Sequence, residues 1–140
     1  MGMYANLQRL ITVEGDASSG FNSTMVQPSA DWIDAANWDN GIFTLQVYNV
    51  TTSSSDTIDF DLRTLTEQTN PQLTASGGLA TSIWEKTSIS SGTVDKKAIY
   101  SHSDNANPME RFVFWALKNN GTGGAWRVSF KVTCILKTPA

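Results

Sequence analysis

The chain has 140 residues, of which 40% are hydrophobic and 16% charged, enough for one domain to bury its own core and too apolar for a disordered segment. Its net charge of -3 comes from 13 acidic and 10 basic residues scattered singly, so no basic stripe is available to neutralise phosphates and nucleic acid is not an expected partner. The single cysteine, Cys134, excludes an internal disulfide framework, and the many Ser, Thr, Asn and Gly residues favour strands and turns over helices.

The opening "MGMYANLQRLITVEG" has no basic stretch followed by an apolar core, so a secretory signal is not expected, and nothing later has the length of a membrane span. Met1-Gly2 raises N-myristoylation, but Asn6 stands where Ser or Thr is required. "LQRLITV" reads as a weak strand. "DASSGFNSTMVQPSA" is poor in large apolar residues, and residues 1–30 are accordingly expected to include an extended arm or long loop. "PSADWIDAANW" is the one helix candidate, a turn or two capped by Ser29 or Asp31 and ended by Asn40-Gly41.

Two alternating runs follow. "IFTLQVYNV" puts Phe43, Leu45 and Val47 in one phase, and "DTIDFDLRTL" puts Ile58, Phe60 and Leu62 in phase between Asp59, Asp61 and Arg63. With the polar "TTSSSD" between them they predict a hairpin with one wet face. "TSIWEKTS" and "TVDKKAIYS" are weaker strands, set off by the loops "NPQLTASGG" and "SHSDNANP". "RFVFWALK" is apolar in both phases, so its strand is central, covered or part of an interface. "NNGTGG" then supplies the turn of a second predicted hairpin, into a closing strand whose Trp126, Val128, Phe130, Val132, Cys134 and Leu136 share one face. About seven or eight short strands with one helical turn predict an all-β, antiparallel two-sheet sandwich, jelly-roll-like, in a single domain.

Chemistry is sparse. His102, the one histidine, lies in "YSHSDNANP" beside Ser101, Ser103 and Asp104, and loop adjacency does not make a triad. One His and one Cys are too few for zinc. Asp56, Asp59 and Asp61 could in principle hold calcium, but Asp59 and Asp61 share their phase with Arg63, the pattern of a solvated sheet face. Glu14, Glu67, Glu85 and Glu110 form no recognisable carboxylate pair, and the glycine-rich "SGG" and "GTGG" lack the lysine of a phosphate loop. The expectation is a non-enzyme without cofactor or metal. Cys134, in the apolar phase of the last strand, reads as a packed thiol.

Of the five tryptophans, Trp32 and Trp38 flank the helical turn, where they plug an end of the sandwich or offer a sugar platform. Trp115, with Val113 and Leu117, forms an apolar stripe opposite Phe112 and Phe114. That stripe is either covered by the chain itself or docks another protein, with Arg111 at its rim.

The order of features resembles a known group. "NWDNG" leads into the long strand "IFTLQVYNV"; a Ser/Thr turn and "IDFDLRTLT" follow, then the tryptophan strand "SIWEKTS", then "RFVFWAL", then the closing "WRVSFKVTCILK". This resembles small β-sandwich accessory proteins from the structural gene clusters of tailed bacteriophages and phage-derived particles, over about residues 38–137. That group often carries a second basic residue where Phe114 stands here, so docking through charge is not expected at that position. The resemblance implies a capsid-surface or tail-associated subunit, a homo-oligomer that binds itself or a major capsid or tail protein. It also implies assembly in the bacterial cytoplasm, with Arg111, Val113, Trp115 and Leu117 as the candidate interface. The alternative is a carbohydrate-binding module using Trp32 and Trp38.

Overall fold

The computed structural model describes residues 2–19, 24–53, 55–66, 81–100 and 108–138. Among them are nine strands: β1 (Gly2–Asp16), β2 (Thr24–Val26), β3 (Ile33–Asp34), β4 (Asn40–Thr51), β5 (Ile58–Leu65), β6 (Thr81–Lys86), β7 (Val94–Tyr100), β8 (Phe112–Asn119) and β9 (Ala125–Lys137). They form two antiparallel sheets, ordered β1-β9-β4-β7 and β2-β8-β5-β6, with β3 also on β8. This is the jelly-roll order, so the predicted sandwich stands, as seven long strands and two short ones.

Alternation is what makes these strands bury one face. In β9 each of Trp126, Val128, Phe130, Val132, Cys134 and Leu136 is buried, and in β4 so are Phe43, Leu45 and Val47. They meet Ile58, Phe60 and Leu62 of β5 and Val113, Trp115 and Leu117 of β8 between the sheets. Edge-to-face ring pairs cross that gap, Trp115 on Phe130 at 5.0 Å and Phe60 on Phe130 at 6.4 Å.

Neither predicted hairpin exists. β4 and β5 lie in different sheets, and so do β8 and β9; of the consecutive long strands only β5 and β6 are neighbours in one sheet. Period-two patterning tells a strand which face to bury but not which strand to pair with, and a polar loop of five or six residues spans the roughly 10 Å between sheets as readily as it turns back within one. The glycines of "NNGTGG" serve this arch by allowing close approach. Asp56, from the β4–β5 connection, accepts hydrogen bonds from the Gly123 amide (2.9 Å) and the Asn119 side-chain amide (3.3 Å). A Cβ on Gly121 would overlap the Asp56 carboxylate, and one on Gly123 would sit 2.8 Å from the Ser53 carbonyl oxygen.

The predicted helix is a three-residue 3-10 turn, Ser29–Asp31. Pro28 holds its N-cap position in place of Ser29 or Asp31, and no side chain caps it. Residues Gly2–Asp16 are no arm: they form the fifteen-residue edge strand β1, hydrogen-bonded along β9. Residues 20–23 of the predicted loop lie outside the described residues, and beyond them the chain folds across to β8.

That return is fixed by Gln27, which is fully buried. Its side-chain amide donates to the Leu7 carbonyl of β1 (2.7 Å) and the Asp31 carbonyl (3.1 Å), and its Oε1 accepts from the Trp115 amide of β8 (3.3 Å). Its backbone N–H donates to the Trp115 carbonyl (3.0 Å), and its own carbonyl accepts from the Trp32 indole (2.8 Å). A buried group that loses its partner costs on the order of 1–3 kcal/mol. Gln27→Ala leaves two carbonyls and an amide without their partner and is therefore expected to lower stability by about 3 kcal/mol or more in chemical denaturation.

Candidate docking surface

The predicted interface stripe lies inside the molecule. Val113, Trp115 and Leu117 are 0%, 3% and 0% exposed and belong to the core between the sheets, so they cannot receive a partner without unfolding the domain. The Trp115 indole N–H donates to the Gln8 side chain (2.9 Å), tying β8 to β1. The two faces of β8 are thus the reverse of the expectation: Phe112 and Phe114 point outward, and the chain's own Trp32, Val26 and Leu65 cover them. Trp32 stacks on Phe114 with ring centroids 4.0 Å apart and planes 11° from parallel. Arg111 alone of the predicted set is exposed; its guanidinium pairs with Asp34 at 3.0 Å and lies over the Phe112 ring. That hydrogen bond, with one from the Ala36 amide, holds the Asp34 carboxyl below the ordinary carboxylate range.

The sugar-platform alternative fares similarly. Trp32 is buried, with its indole N–H spent on Gln27, and Trp38 is half-buried against the main core. Trp32 therefore presents no free ring face of the kind stacking on a pyranose needs.

The three aspartates do not converge. Asp59 accepts from the Ser88 amide (2.8 Å), Asp56 is committed to the glycine arch, and Asp61 takes Arg63 (2.7 Å) and the Ser82 hydroxyl. Asp61 is buried rather than solvated, because its own sheet face supplies both partners. Among the described residues no group of three or more His, Cys, Asp or Glu side chains could hold a metal ion. His102 with Ser101, Ser103 and Asp104, together with Glu67 and the "SGG" segment, lies outside the described residues. Cys134 is buried, and burial pushes its thiol up to about 11.

What the molecule does expose is the first sheet. The outward positions of β1, β9, β4 and β7 line up in register, Tyr4 beside Ile135 beside Ile42 beside Ala98. The large exposed hydrophobics concentrate here and along β1: Met3, Tyr4, Leu10 and Ile11 on β1 itself, with Ile135, Val94 and Tyr100 on β9 and β7. Among the described residues no strand pairs with the outer edge of β1. The "LQRLITV" stretch was legible as a strand, but not that it would end a sheet.

No protein-family model matches the chain, and no curated protein sequence matches it. Solved structures do share its fold. Over 98% of its length the chain is similar to a chain of the T=1 particles derived from infectious bursal virus, with TM-score 0.53 and 9% identity, and to the subviral particle VP2 of infectious bursal disease virus, with TM-score 0.50 and 11% identity. It spans 32% and 33% of those chains. It also aligns over 99% of its length with 92% of a chain from the disulfide-linked pili of Bacillus endospore appendages, at TM-score 0.47 and 11% identity. At this identity the likeness is one of fold: a jelly-roll sandwich of the kind found in viral shells, and not specifically in phages.

Two outcomes test the burial. Trp115→Ala should cost about 3–5 kcal/mol as a core truncation, while Trp115→Phe, which keeps most of the apolar volume, should cost about 1–2 kcal/mol. Cys134 should resist iodoacetamide in the folded protein and be alkylated promptly in denaturant, read by intact mass.

Proposed function

We propose that this protein is a non-enzymatic structural subunit of a phage or phage-like particle, an accessory protein of the capsid surface or tail that assembles with copies of itself or with a shell protein. On this reading it resides in the particle and is put together in the bacterial cytoplasm. The observation that carries the reading is the long edge strand β1. It ends the first sheet with Leu10 and Ile11 61% and 39% exposed, and between Ile11 and Asp16 its register with β9 runs without a bulge. The stretch from Ile11 to Asp16, regular in its pairing and without lysine or proline, is the kind of edge that another polypeptide completes.

The fold supports the reading by analogy, since the same sandwich occurs in virus-derived particles. The resemblance of residues 38–137 to phage accessory proteins supports the finer assignment. Binding through the Val113, Trp115 and Leu117 stripe is no longer part of it, because those side chains are core.

Native mass spectrometry of the purified chain should give a mass above that of the 15.3 kDa monomer. Leu10→Lys with Ile11→Lys places charge on the free edge and should weaken association by about tenfold or more, roughly 1.4 kcal/mol, with little change in melting temperature. A wild type that is monomeric alone and with capsid or tail proteins contradicts the proposal.

A further inference from the structure

The outward face of the first sheet carries charge of one sign around an apolar row. Reading the register across the four strands, the row Tyr4, Ile135, Ile42, Ala98 lies between Lys137 on one side and Lys96 and Lys131 on the other. Tyr4 and Ile135 remain 68% and 38% exposed in that row. Farther along, Arg127 pairs with Glu14 at 2.8 Å, and Lys131 lies over the Tyr48 ring.

This face therefore holds four cations, Lys96, Arg127, Lys131 and Lys137, and two carboxylates, Glu14 and Asp16, a net +2 in a chain whose total is -3. All other residues together carry -5. An apolar centre with a charged rim is the anatomy of a protein contact rather than of an idle solvated sheet. Two copies of this face would repel each other, whereas the face and the acidic remainder of the same chain attract.

We propose that the outer face of the first sheet is a docking surface whose occupant is the acidic surface of a second copy of this chain. The contact is heterologous, face to remainder, so each copy offers both halves and the assembly continues into a ring or a row instead of stopping at a two-fold dimer. The inference rests on the assembly reading above and adds to it the surface and the partner. Docking buries the Tyr4–Ile135 row, and the three lysines around it set the orientation and the sensitivity to salt.

The test is the mass distribution of the full chain by light scattering and sedimentation, between about 0.05 and 0.5 M salt, for wild type and for Lys96→Glu with Lys131→Glu. Both substituted positions point to solvent on the sheet face, so the variant should keep its melting temperature. Wild type should associate at low salt and come apart at high salt, and the variant should lose about tenfold or more in association constant. Because the variant still offers its acidic remainder, adding it to wild type should shorten the wild-type assemblies by capping their open faces.

If wild type associates but the variant matches it, with no response to salt, the docking face is wrong while the assembly reading stands. If variant and wild type fail to mix, the contact is not heterologous and the proposal falls. A wild type that remains monomeric throughout overturns both. A monomer that instead binds polyglutamate through the same lysines replaces the second copy with a foreign acidic partner and overturns the proposal as made.

Discussion

A single buried amide holds the two sheets in their relation at the β1 edge. Gln27 satisfies a carbonyl of β1, a carbonyl of the 3-10 turn and an amide of β8 with its side chain, while its backbone takes the Trp115 carbonyl and the Trp32 indole. An amide can do this because it carries donors and an acceptor on one rigid plane. Inside the sandwich its bonds are shielded from water, and each group it serves would otherwise be a buried orphan. The irregular register of β1 near Asn6 and Gln8 is the local counterpart, for there Leu7 offers its carbonyl to Gln27 and Gln8 its side chain to Trp115.

That tie decides what β8 can be. Its inner residues pack on β9 across the sandwich, and its outer residues are closed over by the segment that Gln27 anchors, with Trp32 lying flat on Phe114. A strand covered on both sides is excluded from docking however apolar it is. The first sheet instead exposes Tyr4 and Ile135 on its outer side, and its strand β1 has one unpaired edge among the described residues. The Asp56 clamp on the Gly121–Gly123 arch does the same work at the far end, fixing the crossing from β8 to β9.

Charge follows the same division. The buried Asp61 pairs with Arg63 and accepts from the Ser82 hydroxyl on its own sheet face, and Asp34 pairs with Arg111. Lysines on the first sheet instead surround an exposed row of Tyr4, Ile135, Ile42 and Ala98. A net charge of -3 conceals this separation, because a sum over the chain carries no information about which face each residue occupies.

The sequence by itself determined the two-sheet antiparallel class, the inward phases of β4, β5 and β9, and the burial of Cys134, since alternation and polar loops are local properties that each strand carries alone. It also showed that both faces of "RFVFWALK" are apolar, which left cover by the chain itself and docking of a partner both open. Which strands are neighbours, that "TTSSSD" and "NNGTGG" are crossings rather than turns, that Trp115 is core and Trp32 its strand's outer cover, and that Lys96, Lys131 and Lys137 share one face were decided only in the tertiary structure. These depend on pairings between residues far apart in the chain, and no periodicity within a strand encodes the identity of its partner.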